Sequence, residues 1–123
     1  MRSEADIQAN VRLRLSEMRA GVYLRYQVGT FLTMDGRMVK IGETGVSDLI
    51  GCTPHIVRPE DVGKTIGVFT ALETKKVKDS TDKERKKKQG NFINLVRSLG
   101  GIAGIVRSEE DAVKLVTERE FHK

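Results

Sequence analysis

Two apolar segments flank one helix pattern in the second half of the chain. The segment FTALETKK, residues 69–76, precedes the helix pattern, and IAGIV, residues 102–106, follows it. The helix pattern covers residues 81–99 and stops at Gly100-Gly101, a pair typical of helix ends. Strands that are joined through a helix usually pair in parallel. The pattern therefore predicts a strand–helix–strand unit whose first strand covers residues 65–75.

Polar side chains interrupt the apolar faces of this unit. Successive side chains of a strand point to opposite faces, so Glu73 and Lys75 share one face. Gln89 lies on the same helix stripe as Phe92 and Val96, which predicts that it faces inward with them. An exposed ion pair and an ordinary helix residue would explain these side chains without any function.

The first 18 residues carry a helix pattern. Ser3 and Asp6 make a capping box at its start, as a second box of Thr81 and Glu84 does for the later helix. Apolar residues recur every four positions along one stripe, and Glu4 falls on that stripe. The spacing predicts that the Glu4 carboxylate faces inward, although the helix dipole alone also favours an acid in the first turn.

Strand patterns follow this helix. They cover residues 22–34, 37–41 and 46–52, with a hairpin turn at Asp35-Gly36 and with Asp48 inside the last strand. The fold class predicted is α/β with a mixed sheet, and the core elements are expected in the order α-β-β-β-α-β-α. Residues 53–64 hold both prolines and form a loop or hairpin excursion. A last helix begins at Ser108 and a final strand precedes it.

Positive charge is concentrated in residues 75–88. That segment has eight basic and three acidic residues, an excess of five that equals the net charge of the whole chain. Such a block suits a polyanion such as nucleic acid, and a solvated lysine-rich helix start is the plain alternative. Aromatic residues are few and do not alternate with the basic ones, so base stacking is unsupported. The residues expected to contact nucleic acid are Lys76, Lys78, Lys83, Arg85, Lys86, Lys87 and Lys88.

Length and composition limit the class of protein. A chain of 123 residues is expected to form a single domain over residues 1–123. No segment approaches the roughly 20 apolar residues of a membrane span, and the polar N-terminus does not resemble a signal peptide. Cys52, the single cysteine, has no partner for a disulfide, and His55 and His122 are far apart. The sequence predicts a cytoplasmic protein that does not enter membranes.

Two carboxylates on neighbouring strands would make an oxygen-rich site. Asp48 and Glu73 lie on strands that flank the excursion, and a backbone carbonyl separates Glu73 from Lys75. Buried acids usually lie beside a cation or a metal, and oxygen ligands suit Mg²⁺ or Mn²⁺. An ammonium group nearby can stabilise charge that develops on a phosphate. This arrangement suits phosphodiester hydrolysis.

The ordered set of motifs resembles the virus-type replication-repair nuclease (VRR-NUC) domain of the PD-(D/E)xK nucleases. The resemblance covers nearly the whole chain. Its motifs are Glu4 on the first helix, GVSDLIG around Asp48, ALETK with Glu73 and Lys75, QGNF with Gln89, and LGGIAGIVRSEEDA at the end. Ser47 departs from the proline that the family usually has before the aspartate. The resemblance implies a restriction-endonuclease-like core and a Mg²⁺- or Mn²⁺-dependent endodeoxyribonuclease.

The resemblance also implies a role for each matching residue. Asp48 and Glu73 would bind the metal directly, together with the backbone carbonyl of Thr74, and Glu4 would act through a water on the metal. Lys75 would polarise the attacking water or the scissile phosphate. The expected role of Gln89 is to orient Lys75 or a water.

Stand-alone members of the resembling family are often dimeric and cut branched DNA, including four-way junctions. The resemblance therefore implies a homodimer, and Met34 and Met38 beside the hairpin turn could supply an adaptable apolar contact. These methionines could equally close the edge of the core. Two other functions stay open. One is a non-catalytic nucleic-acid-binding module that uses residues 75–88, and the other is a small metal-binding regulator that acts through protein partners.

Overall fold

The computed structural model describes residues 2–76 and 82–118 of the chain. By their internal contacts, residues group into two compact units, Met1–Thr53 and Pro54–Lys123. Each unit has its own paired strands. The expectation of a single domain stays a prediction.

The first unit combines a helix with two antiparallel strand pairs. Helix α1 (Glu4–Glu17) lies against strand β1 (Val22–Arg25). Strand β1 pairs antiparallel with β4 (Leu49–Cys52), and β2 (Gly29–Leu32) pairs antiparallel with β3 (Met38–Ile41). The predicted strand over residues 22–34 is therefore two strands, because its halves have different partners.

Helix α1 begins where the sequence predicts, but the prediction of an inward-facing apolar stripe is wrong. The Asp6 amide donates to Ser3 Oγ at 3.1 Å, which confirms the capping box. No residue of α1 is buried, Ile7 remains 44% exposed, and Glu4 is exposed rather than inward. The physical reason lies in the sequence of the helix. Apolar residues occupy every second position from Ala5 to Leu15, so they spread around the helix instead of forming one face.

The hairpin between β2 and β3 confirms the predicted turn at Asp35-Gly36. Gly36 adopts a φ of 87°, a left-handed conformation that glycine adopts readily. The Thr33 amide donates to the Arg37 carbonyl at 2.7 Å and closes the turn. The Asp35 carboxylate accepts from the Thr33 hydroxyl and from Arg37 Nε. The hydroxyl contributes most to the lowering of the Asp35 pKa.

The second unit is a β-α-β arrangement followed by a helix. Strand β5 (Thr70–Thr74) is shorter than the predicted strand, because residues 64–69 form no strand and follow a loop with a short 3-10 helix. Helix α2 (Lys83–Ser98) connects β5 to β6 (Ile102–Val106), and helix α3 (Glu109–Thr117) follows. Strands β5 and β6 pair in parallel, which confirms the predicted pairing.

Side-chain caps fix the starts of both helices in this unit. Asp82 Oδ1 accepts from the Arg85 amide at 2.8 Å and caps α2. The predicted capping residue Thr81 lies outside the described residues. Ser108 Oγ accepts from the Asp111 amide at 3.1 Å, which confirms the predicted start of α3.

The core of the second unit lies between α2 and one face of the parallel pair. Val96 has no exposed surface, and it packs with Ile93 and Ala103. Gly104 points to the opposite face, where a Cβ atom would lie 3.0 Å from Leu115 of α3. Helices α2 and α3 therefore cover opposite faces of the pair.

The structure confirms a mixed α/β fold, with three α-helices and small sheets among the described residues. Between α1 and α2 the described residues form five strands, whereas the predicted core order has three. The division of residues 22–34 accounts for part of this difference. The restriction-endonuclease-like core stays a prediction. In the described ranges, no helix is long and apolar enough to cross a bilayer.

Candidate active site

Polar side chains extend the core-facing side of β5 at its C-terminal end. Burial alternates along the strand, with Ala71 and Glu73 half-buried and with Leu72 and Thr74 exposed. Lys75 follows the strand and continues this alternation, because its amide donates to the Val106 carbonyl of β6 at 3.0 Å. Glu73 and Lys75 therefore share one face, as the sequence predicts.

The two charged groups are in contact and differ in exposure. Lys75 Nζ lies 3.7 Å from Glu73 Oε1. The Lys75 side chain is only 7% exposed, whereas that of Glu73 is 37% exposed. The exposed ion pair considered as the plain alternative is therefore wrong for the lysine. An ammonium group held out of solvent beside a carboxylate that solvent can reach suggests a site rather than a solubilising pair.

Helix α2 supplies the third polar group. Gln89 Nε2 donates to the same Glu73 oxygen at 2.9 Å, in a part-buried hydrogen bond. Gln89 reaches this position because it shares the inward stripe of α2 with Phe92 and Val96. The prediction that Gln89 faces inward is confirmed. Its partner in the structure is the carboxylate of Glu73, whereas the resemblance implies that it orients Lys75 or a water.

The backbone of Thr74 has a distinct orientation from that of its neighbours. In the parallel ladder, Phe69 O accepts from the Ile102 amide and the Lys75 amide donates to Val106, so odd-numbered residues of β5 direct their backbone groups toward β6. Thr74 directs its carbonyl toward the other edge of β5. In the described part of the chain, no strand pairs along that edge.

The donor set at this end of β5 suits a hard divalent cation. Glu73 offers a carboxylate that is partly open to solvent, and Thr74 offers a carbonyl on an edge of β5 along which no described strand pairs. Mg²⁺ typically takes one or two carboxylates and completes its shell with waters and substrate phosphates. Within residues 2–76 and 82–118, no three His, Cys, Asp or Glu side chains are grouped to hold a metal. Waters or phosphate oxygens would therefore have to supply several ligands.

The other two predicted acids lie in the first unit. Asp48 is exposed and immediately precedes β4, one residue outside the strand that was expected to contain it. Its carbonyl accepts from the Tyr26 amide at 2.8 Å, which extends the pairing of β1 with β4. Glu4 is the first residue of α1 and is exposed. The structure thus brings together Glu73, Lys75 and Gln89, while Glu4 and Asp48 belong to the other unit.

The basic residues lie mostly on the first two turns of α2. Lys88 is 77% exposed and pairs with Glu84 at 3.8 Å, one helical turn away. Lys76 is exposed at the end of β5, and Lys78 lies outside the described residues. The remaining exposed basic residues of the helix are Lys83, Arg85, Lys86 and Lys87.

A pocket of about 380 Å³ adjoins the polar group. Its walls include Glu73, Gln89, Phe92 and Ile93, with Lys88 among its lining residues. The pocket is not predicted from the sequence, in which Lys88 belongs to the basic segment and Phe92 to the inward stripe of the helix. The signal was the helical spacing of residues 88, 89 and 92, which places them on adjacent positions of one helix face.

Two other chemically reactive side chains, His55 and Cys52, are not among the residues that line this pocket. His55 Nε2 lies 2.8 Å from Asp61 Oδ2 in the proline-containing loop, and this hydrogen bond contributes most to the lowering of the Asp61 pKa. The sequence does not predict this pair, since a histidine and an aspartate six residues apart form no recognisable motif. Cys52 is buried as predicted, and burial raises the pKa of its thiol.

Comparison with known proteins identifies no relative of this chain. No protein-family model, curated protein or solved structure matches the chain. The candidate site is therefore defined by its own geometry, in which Lys75 and Gln89 both contact one oxygen of Glu73.

Proposed function

We propose that the chain is a metal-dependent DNA endonuclease of the VRR-NUC type that acts on branched DNA such as four-way junctions. The observation that carries this proposal is the meeting of Glu73, Lys75 and Gln89 at the end of β5. A carboxylate, a shielded ammonium group and an amide that fixes the carboxylate suit phosphodiester hydrolysis beside a divalent cation. A surface ion pair would not need a lysine that is 7% exposed.

The proposed cation is Mg²⁺ or Mn²⁺. When bound, it supplies a Lewis acid and lowers the pKa of a bound water. Glu73 and the Thr74 carbonyl would hold it, and the orientation of Thr74 and the partial exposure of Glu73 support both roles. The roles that the resemblance implies for Asp48 and Glu4 stay predictions.

Lys75 and Gln89 have separate proposed roles. The ammonium of Lys75 would stabilise negative charge on the scissile phosphate, and its burial keeps it in one orientation beside Glu73. Gln89 is a positioning residue, because its amide holds one oxygen of Glu73 at 2.9 Å. That hydrogen bond engages Oε1 of Glu73, and Oε2 would bind the cation.

The proposed substrate is DNA because the same helix that carries Gln89 presents the basic residues. Lys83, Lys86 and Lys87 are exposed, so their ammonium groups can contact phosphates. Lys88 and Gln89 are neighbours on α2, which places cationic charge beside the polar group. A bound backbone could therefore extend from the basic turns of α2 to Glu73.

Charge reversal on α2 tests this contact. Replacing both Lys83 and Lys87 with Glu should weaken DNA binding and lower the slope of log affinity against log salt by about 2, since each phosphate contact contributes about 0.9. Salt-dependent fluorescence anisotropy measures the slope. A matched control replaces Lys64 and Lys114 with Glu, which makes the same change in net charge. Equal effects of the two double variants would show that α2 is not the contact surface.

The basic face of α2 also favours a second function, a nucleic-acid-binding module without catalysis. Such a module would use the same exposed lysines but would not need the buried Lys75, its ion-pair partner Glu73, or the hydrogen bond from Gln89 to Glu73. A panel of labelled four-way junction, flap, nicked and linear DNAs, incubated with Mg²⁺, separates the two functions. The nuclease cuts at least one branched DNA faster than linear duplex, whereas the module binds them without cutting.

A homodimer is the proposed assembly, and the β2–β3 hairpin is its proposed contact. Leu32 and Met38 are direct partners in the hairpin register and are 68% and 67% exposed. Met34, next to the turn, is fully exposed. A two-fold dimer would provide two sites for the two strands that must be cut in a junction.

Light scattering tests the dimer. The wild-type chain should show twice its 13.7 kDa mass at micromolar concentration, and Met38→Glu should give the monomer because it places a charge in the apolar contact. Leu13→Glu, which introduces the same charge at a 59% exposed apolar position of α1 outside the hairpin, is the matched control and should stay dimeric. A wild-type monomer that cuts junction and linear DNA equally would contradict both the dimer and the junction preference.

A further inference from the structure

We propose that the pocket beside Glu73 receives a single unpaired nucleobase of the DNA substrate. This inference rests on the proposed nuclease function and specifies which part of the substrate lies next to the cleavage site. The pocket has a volume of about 380 Å³ and is bounded by β5 and α2. Ligand pockets in proteins typically measure about 300–1,000 Å³ and are lined mostly by apolar groups with a few polar ones.

The lining residues offer three kinds of contact. Phe92 and Ile93 provide apolar surface, and Phe92 packs only partly into the core, which leaves the rest of its side chain to line the pocket. Gln89 and Glu73 provide polar atoms on one side. Lys88 is 77% exposed and carries a positive charge where a phosphate attached to the base would lie.

A nucleobase matches this combination better than a phosphate or an apolar ligand. An aromatic ring can stack on any of the four bases, and an amide can form hydrogen bonds with the edge of a base. A free phosphate would gain little from Phe92 and Ile93, and it would be repelled by Glu73. An apolar ligand would leave the polar side unused.

The position of the pocket connects base binding to the choice of substrate. Glu73 lines the pocket and is also the proposed metal ligand, so a base held there would place a neighbouring phosphate at the catalytic group. Removing a base from a paired duplex costs free energy, because its pairing and stacking are lost, and the cost is least where the base is already unpaired. Branch points, flaps and bulges would therefore be preferred over perfect duplex.

The direct test measures binding in EDTA, so that hydrolysis through a metal cannot occur. Two duplexes are compared, each with one bulged nucleotide, which carries a thymine in the first and is abasic in the second. The wild-type chain should bind the thymine bulge about tenfold more tightly, since stacking on an aromatic side chain typically strengthens binding by about that factor or more per base. Phe92→Leu should reduce this preference to less than about threefold, because it keeps apolar volume but removes the ring. Asn94→Ala, on an exposed position of the same helix, should retain the preference.

A second measurement does not depend on the folding of a variant. A bulged 2-aminopurine should become at least about threefold less accessible to acrylamide quenching when the wild-type chain binds, since the base enters a pocket. Equal binding of the thymine and abasic bulges by the wild-type chain would overturn the inference, as would unchanged quenching. If Mg²⁺-dependent cleavage occurs without a base preference, the assignment of the pocket to a nucleobase is wrong, while the proposed nuclease function stands. A base preference without cleavage supports the pocket and contradicts the nuclease.

Discussion

Glu73→Gln is expected to lower Mg²⁺-dependent DNA cleavage by at least about a thousandfold, the equivalent of roughly 4 kcal/mol of transition-state stabilisation. Glutamine keeps the size of the side chain and can still accept a hydrogen bond from Gln89, whose Nε2 lies 2.9 Å from the native carboxylate. It lacks the negative charge that a divalent cation requires. Single-turnover cleavage of a labelled junction measures the loss.

The matched control for this substitution is Glu110→Gln. Glu110 lies in the first turn of α3, is exposed, and has no role in the proposed site. It should leave cleavage unchanged and lower the melting temperature only slightly, by the loss of a favourable helix-dipole interaction. Thermal unfolding should show both variants folded. A Glu73→Gln protein with normal turnover and normal Mg²⁺ dependence would remove Glu73 from the metal site.

Lys75→Met is expected to lower kcat by about a hundredfold to a thousandfold while changing DNA affinity less than about threefold. The charge of Lys75 would act mainly in the transition state, and interactions made only there change kcat rather than binding. Methionine is chosen because the Lys75 side chain is 7% exposed, so alanine would leave a cavity. Burst-phase kinetics and binding measured separately distinguish the two effects.

The neighbouring lysine provides the contrast. Lys76 is exposed, and we expect Lys76→Met to weaken binding and flatten its salt dependence while leaving kcat nearly unchanged. If Lys75 belonged to the basic surface instead, Lys75→Met and Lys76→Met would behave alike. If Lys75→Met lost affinity and turnover by the same factor, Lys75 would be part of the basic surface and not of the catalytic group.

Local signals were sufficient to predict the β-α-β unit. The apolar strand segments, the helix pattern between them and the Gly100-Gly101 stop all lie within about 40 residues of sequence, and the parallel pair is found where they predict it. Strand alternation placed Glu73 and Lys75 on one face, and helical periodicity placed Gln89 inward. These features follow from backbone geometry, which depends little on the rest of the chain.

Features that depend on distant partners were predicted less well. The segment of residues 22–34 reads as one strand, yet its halves pair with β4 and β3 respectively. Strand pairing is chosen by residues far along the chain, so a single segment does not show where it will divide. The inward position of Glu4 failed for a similar reason, because an evenly apolar helix has no face that its own sequence selects.

The pocket beside Glu73 could not be predicted from the linear sequence. The absence of aromatic residues among the basic ones argued against base stacking, but α2 places Phe92 one turn from Lys88 and packs both beside β5. The aromatic and basic side chains come together in space because the helical repeat places Phe92 beside Lys88 and because α2 packs against β5. Neither is visible when the basic block is considered as a linear segment.

The measurement that most directly tests the central claim is cleavage of a labelled four-way junction by the wild-type chain across a Mg²⁺ titration, with EDTA as the zero point. We predict no cleavage in EDTA, cleavage that rises and saturates with Mg²⁺, and a faster rate on the junction than on linear duplex of the same sequence. Tight binding of the junction without cleavage at any Mg²⁺ or Mn²⁺ concentration would contradict the claim. In that case the group formed by Glu73, Lys75 and Gln89 would belong to a binding module and not to a nuclease.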